Sequence, residues 1–417
     1  MRIRLLPHAA ATVADLRMRV GILTQYYAPE MGAVPARLGE LATRLRERGH
    51  EVVVVSAMPN YPRGEVYPGY GGLLAHEKID GAVVLRTWIW PTLSASVIPR
   101  TLSYLSFAAS SLFIGSVRLP RLDVLITESP PLPLGVTGFL LSRLKHARFV
   151  FNVSDLWPES AVVLGVLGDG FATKLAYKLE RFCYRRAWRV SCQSREIRAS
   201  IDRRFTSVHT LAFFNGVDTG RFGPVHRTDA ARRQLGRSSE LIALYAGLHG
   251  IAQGLDQLLA AAATLSDENL RLVLVGDGPE KGALLENARE RGLGNVSFLP
   301  PQPKAAMPAL LAAADIAVVT LKTHIPGAVP SKLYEAMASG LPVVLVAEGE
   351  AAEILESAGA GLVVKPGDTD GLAAALARLA RSPDERARLG AASRTAAVER
   401  YDRRPLCDAF IDALESA

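Results

Sequence analysis

Apolar runs and amphipathic stretches alternate along most of this chain. Residues 18–27, MRVGILTQYY, and 51–57, EVVVVSA, have the nearly unbroken apolar character of strands that are buried on both faces of a sheet. Between them, residues 35–50, PARLGELATRLRERGH, place leucines every three or four positions, as the buried stripe of a helix does. A strand, a helix and a second strand within about 40 residues predict a βαβ unit and therefore a parallel sheet.

The same alternation continues through the first half of the chain and restarts near Leu241. The further strands predicted in the first half are AVVLRTW, DVLITES, RFVFNVSD and RVSCQS. Those predicted in the second half are LIALYAG, LRLVLVGDG, NVSFLP, DIAVVTL, LPVVLVA and GLVVKPG. The pattern predicts an α/β protein with two doubly wound, Rossmann-like parallel sheets that face each other across a cleft, where the carboxyl ends of the strands form the expected ligand site.

The join between the two units is predicted in residues 213–227, which are rich in glycine and turn-forming residues. We accordingly predict a first domain over residues 18–214 and a second domain over residues 215–399. The final helix, residues 400–417, has no strand after it and is predicted to cross back onto the first domain. Because the first predicted strand begins at Met18, residues 1–17 are predicted to be an N-terminal extension or a misassigned start, and their apolar run is too short and broken for a signal peptide.

Composition adds information about the partner. The chain has 417 residues and a formal net charge of +7, and its first 214 residues hold 27 Lys and Arg against 16 Asp and Glu. The remainder holds 21 against 25, so the excess of basic residues belongs to the first domain. This asymmetry favours an anionic partner, such as a nucleic acid, a membrane surface or a phosphorylated acceptor, although a solvated basic face is the alternative. Three scattered cysteines favour a reducing, cytosolic compartment.

Two segments of the first half bear on these partners. Residues 103–117, SYLSFAASSLFIGSV, are apolar but shorter than the roughly 20 residues that span a bilayer. Because arginines flank them, they predict either a helix that lies in the membrane interface or a buried helix of the first domain. Residues 174–190, KLAYKLERFCYRRAWRV, combine basic and aromatic side chains, but no recognised nucleic-acid module accompanies them, so we expect no nucleic-acid partner.

The most informative candidate for chemistry is the stretch PSKLYEAMASG, which follows the predicted strand DIAVVTL. Pro330 marks a helix entrance, and the backbone N–H groups from Ser331 to Leu333 are predicted to form a seat for an anion. Lys332 adds a full positive charge to that seat. Glu335 falls on the same helical face as Ser331, so its carboxylate can accept hydrogen bonds from two hydroxyls beside a seated phosphate. Such an arrangement suits a nucleotide, whereas a solvated Lys and Glu on a surface helix is the alternative.

Loops at other predicted strand ends are weaker candidates. Gly32 stands at a helix entrance in a loop that lacks the spacing of a dinucleotide-binding motif. The turn VGDGP contains Gly276, Asp277 and Gly278, where the glycines permit unusual backbone angles. The backbone N–H groups near Gly32 can approach an anion, with an ordinary loop glycine as the alternative, and the VGDGP turn by itself indicates only a well-formed connection from a strand to a helix.

Polar side chains in the first half are candidates for catalysis and for binding an acceptor. Ser154 and Asp155 follow the strand RFVFNV, and the turn after them contains Trp157 and Glu159. Asp155 and Glu159 are predicted to act as a base, to orient an acceptor hydroxyl, or to cap a helix. The loop of residues 57–72 is rich in Pro, Gly and Tyr and is predicted to grip a ligand. Its candidate acceptor-binding residues are Asn60, Tyr61 and Arg63.

Other chemistries have little support in the sequence. It contains no Gly-x-Ser-x-Gly elbow, no Walker A loop and no His-Glu-x-x-His helix, and its eight histidines are scattered. No metal site is therefore predicted.

Five stretches taken together resemble the family-four glycosyltransferases of the GT-B fold in both order and spacing. They are YYAPEMGAVPARLGELATRLRERGHEVVVVS, FNGVDTGRF, YAGLHGIAQGLDQLL, VGDGPEKGALL and SKLYEAMASGLPVV. The resemblance runs from about residue 18 to the C-terminus. MPNYPRGEVYPGY and DLWPES make it most similar to bacterial transferases of the O-antigen and colanic-acid type, including those for N-acetyl-fucosamine.

The resemblance implies a retaining, metal-independent transfer from a nucleotide sugar in the second domain to an acceptor in the basic first domain. It implies that Glu335 holds the ribose, as the second glutamate of the family's E-x7-E motif. Ser154 stands where many members place a histidine beside the sugar, so the expected catalytic residues are Ser154, Asp155 and Lys332. The expected donor-binding residues are Gly32, Gly247, His249, Gln253, Gly276, Asp277, Gly278, Leu299, Pro330, Ser331, Lys332, Leu333 and Glu335. The expected acceptor-binding residues are Asn60, Tyr61, Arg63, Trp157 and Glu159.

Two departures from the family pattern concern the grip on the donor. Gly327 stands eight positions before Glu335, where the family carries the glutamate that contacts the sugar hydroxyls. Where many members place an Arg and a Lys near the diphosphate, AGLHGIAQG offers Leu248, His249 and Gln253, and we expect Lys332 to replace the missing charge. A deoxy or N-acetylated amino sugar lacks part of the usual hydroxyl pattern, so its binding would depend less on the absent glutamate.

We therefore expect a transferase that moves a UDP-activated hexose, N-acetylated or deoxy, to a lipid-linked saccharide in cell-surface polysaccharide synthesis. It is expected to need no cofactor besides this donor substrate and to work as a peripheral protein at the cytoplasmic face of the membrane. One alternative is a nucleotide-sugar epimerase or hydrolase of the same fold. The other is a catalytically silent scaffold of a polysaccharide assembly complex.

Overall fold

Two largely parallel sheets, each covered by helices on both faces, form the protein. The computed structural model describes residues 17–92, 94, 96–237, 239–265 and 268–416. The predicted α/β class with two doubly wound, Rossmann-like sheets is confirmed. The predicted N-terminal extension lies, except for Arg17, outside the described residues.

The first sheet has eight strands among the described residues, in the order β3-β4-β2-β1-β5-β6-β7-β8. The strands are β1 (Arg19–Thr24), β2 (Glu51–Ala57), β3 (Leu74–Ile79), β4 (Ala82–Thr87), β5 (Val124–Ser129), β6 (Arg148–Val153), β7 (Arg189–Cys192) and β8 (Thr210–Ala212). All neighbours are parallel except β3, an edge strand antiparallel to β4 that the sequence pattern did not predict. Asp80 and Gly81, both with positive φ, form the two-residue turn between them, which is a typical hairpin sequence.

Helices cover both faces of this sheet. They are α1 (Ala33–Glu47), α2 (Val97–Arg118), α3 (Leu134–Lys145), α4 (Glu159–Val163), α5 (Phe171–Arg186) and α6 (Arg195–Arg204). On one face, Leu38, Leu41 and Leu45 of α1 pack on alternate residues of the central strands, including Ile22. Helices α2 and α3 pack on the opposite face, where Phe107 is fully buried. The inward side chains of each strand therefore alternate between two cores, as expected for a sheet buried on both faces.

The second sheet has six parallel strands among the described residues, in the order β11-β10-β9-β12-β13-β14. The strands are β9 (Leu241–Ala246), β10 (Leu270–Val275), β11 (Val296–Leu299), β12 (Ile316–Thr320), β13 (Val343–Val346) and β14 (Gly361–Val364). The helices in this half of the chain are α7 (Asp229–Leu235), α8 (Asp256–Ala263), α9 (Lys281–Glu290), α10 (Met307–Ala313), α11 (Ser331–Ala338), α12 (Glu350–Ala358), α13 (Thr369–Arg381) and α14 (Pro383–Arg400), followed by α15 (Arg403–Glu415), which packs on the first sheet. The strand order reverses between β9 and β12, and this switch point is where a doubly wound sheet opens a crevice for ligands.

The chain passes between the two sheets twice, and the two crossings lie side by side. The N–H of Val217 donates to the carbonyl of Tyr401 (2.9 Å), and the N–H of Arg403 donates to the carbonyl of Val217 (2.8 Å). Helix α15 then packs on α1 of the first sheet, where Phe410 stacks on Phe213 with ring centroids 4.3 Å apart. The last helix therefore belongs to the core of the first sheet, although it follows the second sheet in sequence.

Replacing Phe410 with Ala is expected to lower the free energy of unfolding by about 3–5 kcal/mol, because it removes a fully buried ring and leaves a cavity. Urea unfolding followed by fluorescence measures this change. The matched control is Phe171→Ala, since that ring is 81% exposed and its removal should have little effect. Equal effects of the two substitutions would contradict the role given to α15.

Candidate active site

The loops that follow the central strands of the second sheet meet at its carboxyl edge. The loops after β9 and β10 lie in contact, because the N–H of His249 donates to the carbonyl of Asp277 (2.8 Å) and the N–H of Glu280 donates to the carbonyl of His249 (2.9 Å). Gly276 is required for this contact: its φ is +146°, and a Cβ there would lie 1.9 Å from the carbonyl oxygen of Gly247. The predicted donor residues of these two loops are thus brought together.

Lys332 lies at the entrance of α11 and reaches the first of these loops. Its Nζ donates to the Tyr245 hydroxyl (2.7 Å) and lies 4.2 Å from the centre of that ring. A Cβ on Gly247 would be 2.8 Å from the same Nζ, so the ammonium group lies directly against the glycine backbone. Burial lowers the pKa of Lys332 to about 8, and the charge of Glu335 opposes this shift. The side chain therefore remains mostly protonated at pH 7.

The helix entrance itself differs from the prediction in one detail. Helix α11 begins at Ser331 with Pro330 before it, and the N–H of Leu333 donates to the carbonyl of Pro330 (3.0 Å). The predicted seat of three N–H groups is therefore wrong for Leu333. The N–H groups of Ser331 and Lys332 precede the first helical hydrogen bond, so they remain available to an anion beside the Lys332 ammonium.

His249 lies beneath these loops. Its side chain is fully buried, and neither ring nitrogen has a hydrogen-bond partner among the described residues by distance and angle. Burial, together with the positive charges of Lys281 and Lys332, lowers the pKa of His249 to about 4. The imidazole is therefore neutral at pH 7. It contributes no charge to an anion site, and its packing between Tyr245 and Phe298 supports the backbone of the loop above.

The remaining predicted donor residues lie around this centre. Leu299 ends β11, and its carbonyl accepts from the N–H of Gly276 (3.2 Å). Gln253 ends a short 3₁₀ turn after β9, and its Oε1 is buried without a hydrogen-bond partner among the described residues. Asp277 is exposed at the tip of its loop and accepts from the N–H of Gly278 (2.9 Å). Gly32 lies in the first sheet's half, where it precedes α1.

Glu335 is surrounded by cations that the sequence pattern did not reveal. Burial raises the pKa of the Glu335 carboxyl, while Arg403, Lys332, Lys304 and Arg221 oppose that shift, in that order. Arg221 also donates to the carbonyl of Lys304 (2.6 Å). Lys332 lies on the same helix as Glu335, but the other three cations come from the first crossing, the loop after β11 and the start of α15. No spacing in the sequence links these three to Glu335, because only the tertiary structure brings them together.

On the first sheet, Ser154 belongs to a buried network around Arg37. The Ser154 hydroxyl donates to the Glu128 carboxylate and accepts from the Arg37 guanidinium. Arg37 also donates to Gln193 (2.9 Å) and to Asn215. The hydroxyl is therefore fully engaged, and Ser154 supports the strand ends from below. Arg37 and Glu128 were not among the predicted residues, because a lone Arg on a helix gives no sign in the sequence of being buried.

Asp155 and Glu159 point to different neighbours. Asp155 accepts from the Ser160 hydroxyl (2.8 Å), and burial raises the pKa of its carboxyl. Glu159 lies 3.7 Å from the guanidinium of Arg204 at the end of α6. Trp157 packs on the apolar cluster of β6 and α5. Three roles were predicted for Asp155: a base, a group that orients an acceptor hydroxyl, and a helix cap. Its contacts are those of a structural residue at the start of α4.

The predicted acceptor loop is held by a buried carboxylate. Glu30 accepts from the N–H groups of Asn60 and Tyr61 (both 2.9 Å), which ties the loop after β2 to the loop after β1. The Asn60 side chain is buried, and its amide donates to the carbonyl of Met58 (2.9 Å). The Tyr61 ring remains 39% exposed and packs edge-on against Tyr26 at 5.5 Å. Arg63 lies over the ring of Tyr67, near the end of the same loop.

Gly327 makes a contact between the two halves of the protein. Its φ is +75°, and a Cβ there would lie 2.3 Å from Cγ1 of Ile197 on α6. Its carbonyl accepts from the Ser194 hydroxyl (2.9 Å). Nearby, the Glu350 carboxylate accepts from the N–H groups of Arg195 (2.9 Å) and Glu196 (2.7 Å) at the start of α6. A glutamate at position 327 would strain the backbone and overlap Ile197, so the missing carboxylate is explained by packing.

Among the described residues, no group of three or more His, Cys, Asp or Glu side chains is arranged to hold a metal ion. The expectation of metal-independent chemistry stays a prediction.

Both halves of the chain match known protein families. Residues 32–214 match the family model described as "Glycosyl transferase 4-like domain", and residues 227–396 match "Glycosyl transferases group 1". Over 371 residues, the chain is 32% identical to the Escherichia coli K12 protein named "Putative colanic acid biosynthesis glycosyl transferase WcaI", with 86% of this chain and 91% of that protein covered. It is 28% identical to a GDP-mannose-dependent alpha-mannosyltransferase of Mycolicibacterium smegmatis, with 92% and 93% covered.

A solved structure supports the fold. The crystal structure of Anabaena HepE in complex with UDP and glucose superposes with a TM-score of 0.72 at 20% identity, covering 96% of this chain and all of that chain. At this identity the similarity establishes the two-domain GT-B architecture and leaves the ligand open.

Replacing Gly327 with Glu is expected to lower the free energy of unfolding by about 1–3 kcal/mol from backbone strain, with a further loss from the overlap with Ile197. The substitution restores the residue type of the family motif, yet we expect it to destabilise the protein and not to tighten nucleotide-sugar binding. Chemical unfolding and calorimetric titration measure the two effects. Ala328→Glu serves as the neighbouring control. A Gly327→Glu variant as stable as the wild type and tighter in donor binding would refute the packing explanation.

The stability conferred by neutral His249 should be lost on acidification. Because the folded pKa of about 4 lies below the ordinary 6.5, the unfolded state binds a proton first, and stability falls as the pH decreases from about 6.5 towards 4. Relative to His249→Gln, the wild type should lose up to about 3 kcal/mol of unfolding free energy over this range. The control is His76→Gln, an exposed position. Parallel pH curves for wild type and His249→Gln would contradict the buried neutral imidazole.

Proposed function

The chain belongs to the family-four glycosyltransferases of the GT-B fold, and on that basis we propose that it transfers a sugar from a UDP-sugar to a lipid-linked saccharide with retention of configuration. The sugar is an N-acetylated or deoxy hexose, and the product is a building block of a cell-surface polysaccharide. The reaction needs no metal ion. The observation that carries the proposal is the Lys332 ammonium at the entrance of α11, held against the Gly247 backbone and Tyr245.

Lys332 suits the departing diphosphate. When the bond between the anomeric carbon and the phosphate oxygen breaks, its electrons stay on that oxygen, and negative charge grows on the leaving group. The Lys332 ammonium and the N–H groups of Ser331 and Lys332 belong to the same helix entrance, so they can stabilise this charge together. The two facing domains lower the barrier further, because they hold the sugar and the acceptor in line for the reaction.

Glu335 suits the ribose of the donor. It lies on the same helix as Lys332, one turn further on. Burial raises the pKa of its carboxyl, and the cations Arg403 and Lys332 oppose that shift. An ionised carboxylate accepts hydrogen bonds from two neighbouring hydroxyls, which a ribose provides. The complex of HepE with UDP supports a uridine donor in this fold, whereas the GDP-mannose relative makes guanosine the competitor to test.

The choice of sugar is supported by the packing of Gly327. No carboxylate can be placed at this position, so the grip on the sugar hydroxyls is weaker than in members that carry the glutamate. The absence of the glutamate should weaken binding least for a sugar that lacks one of those hydroxyls or bears an N-acetyl group in its place. The relation to a colanic-acid transferase agrees with a surface polysaccharide as the product, and N-acetyl-fucosamine is one such deoxy, N-acetylated sugar.

Lys332→Ala is expected to lower kcat by about 100- to 1000-fold, the loss typical when one preorganised group at a developing charge is removed. Glu335→Gln should instead weaken UDP binding by about tenfold or more, because a carboxyl oxygen that accepts a hydrogen bond from the ribose becomes an amide NH2 group that cannot accept one. Sugar transfer to lipid-linked acceptors and calorimetric titration with UDP and GDP measure these effects. The control is Lys365→Ala, an exposed lysine after β14.

Full activity and full UDP affinity in both variants would overturn the site. Release of UDP that does not depend on an acceptor would identify a hydrolase or an epimerase of the same fold, and failure of the wild type to bind any nucleotide would identify a silent scaffold.

A further inference from the structure

Helix α2 exposes its large apolar side chains and buries mostly small or polar ones, which is the reverse of an ordinary surface helix. The residues it buries are mostly small or polar: Ser103, Phe107, Ala108, Ser111 and Gly115. The residues it exposes are large and apolar, at Ile98 (74% exposed), Leu102 (47%), Leu105 (47%), Phe113 (70%) and Val117 (66%). These five positions recur every three or four residues or at a multiple of that spacing, so they form one stripe along the whole helix. A continuous apolar stripe in water marks a surface that meets an apolar partner.

The stripe cannot turn inward, because the opposite face of α2 is fixed to the domain. The Lys145 Nζ donates to the Ser116 carbonyl (2.8 Å), and the Thr137 hydroxyl donates to the Ala108 carbonyl (3.0 Å). Gly115 is so close to α3 that a Cβ there would lie 2.9 Å from Leu141. With 22 residues, α2 is long and apolar enough to cross a bilayer. Since one face is bonded to α3, the helix can meet a membrane only along its length.

The exposed charges on the helices α2, α3 and α5 are all positive. Helices α2 and α3 contain no Asp or Glu, and the only one in α5, Glu180, is buried and paired with Arg204. The exposed cations on these three helices are Arg100, Arg118, Arg143, Lys174, Lys178, Arg181, Arg185 and Arg186. On the opposite side of the sheet, α1 and α15 carry both signs in pairs, such as Arg44 with Asp408. On these three helices, the charges that accompany the apolar stripe are thus positive.

We propose that the exposed stripe of α2 inserts into the interfacial region of an anionic lipid bilayer, with the surrounding arginines and lysines at the lipid headgroups. Apolar insertion and attraction to acidic lipids are the two contributions that hold interfacial helices on membranes. A second copy of the chain would bring two identical positive rims together, which is unfavourable, so a bilayer is the occupant that the charges favour.

The position of the stripe connects the membrane to the cleft. Arg100 and Tyr104, in the first two turns of α2, are close enough to Tyr26 to influence the pKa of its hydroxyl, and Tyr26 packs against Tyr61 of the acceptor loop. A bilayer along α2 therefore brings a membrane-anchored acceptor to the carboxyl edge of the first sheet. The inference deepens the proposed function and rests on it for the nature of the acceptor, although lipid binding itself needs neither donor nor transfer.

Co-flotation of the full-length protein with vesicles tests the proposal. The vesicles are phosphatidylcholine alone or an equimolar mixture with phosphatidylglycerol. We expect the wild type to float with the anionic vesicles and to remain at the bottom with phosphatidylcholine alone. The double variant Ile98→Ser, Phe113→Ser should lower the partition coefficient by at least about tenfold, because two large apolar side chains no longer enter the bilayer. These side chains are exposed, so the thermal midpoint should not fall.

The matched control is the double variant Val225→Ser, Leu285→Ser, which removes two exposed apolar side chains from the other domain and should float like the wild type. Three outcomes would overturn the proposal: no flotation of the wild type, equal flotation of both double variants, or a dimer in light scattering that the Ile98→Ser, Phe113→Ser variant dissolves. UDP affinity is measured on the same samples. If the Ile98→Ser, Phe113→Ser variant loses flotation but binds UDP normally, the result supports the stripe as the membrane-binding surface. If the wild type floats but binds no UDP, the result refutes the proposed function and leaves the membrane proposal intact.

Discussion

The buried guanidinium of Arg37 is the constraint on which the arrangement of the cleft depends. A charge without contact to water must be paired and hydrogen-bonded, and loss of one partner of such a pair typically costs about 3–5 kcal/mol. The partners of Arg37 are Glu128 at the end of β5, Ser154 after β6, Gln193 after β7 and Asn215 at the first chain crossing. One charge therefore sets the relative position of three strand ends and of the link to the second domain.

Burial also determines the charges of the second domain, but there it leaves one side chain charged and another neutral. At the entrance of α11, Lys332 is held by a tyrosine hydroxyl and ring, and the imidazole of His249 below the loops stays neutral. Burial lowers the pKa of both side chains, but only that of Lys332 stays above 7. The positive charge of the site is thus concentrated at the helix entrance, where an anionic ligand would neutralise it.

The two chain crossings and the contact at Gly327 fix how the halves of the molecule meet. Gly327 gives up a side chain so that its backbone can approach α6, and Glu350 accepts hydrogen bonds from the first N–H groups of that same helix. A residue that looks like a defect in a binding motif is thus part of a domain interface. On the outer side of the first domain, by contrast, α2 exposes large apolar side chains to solvent, because no other described element packs against them.

The sequence by itself determined the α/β class, the two parallel sheets, the family and the segment that contains Lys332 and Glu335. These follow from apolar runs and from residues close together in the chain, which carry their own periodicity and spacing. It did not indicate the edge strand β3, and it misjudged the free N–H of Leu333. Only the tertiary structure placed Arg403, Lys304 and Arg221 beside Glu335, buried Arg37 among its partners, and turned the apolar side of α2 outward. Each of these depends on contacts between distant segments, and burial of a charge or exposure of a leucine is a property of such contacts, which no local pattern records.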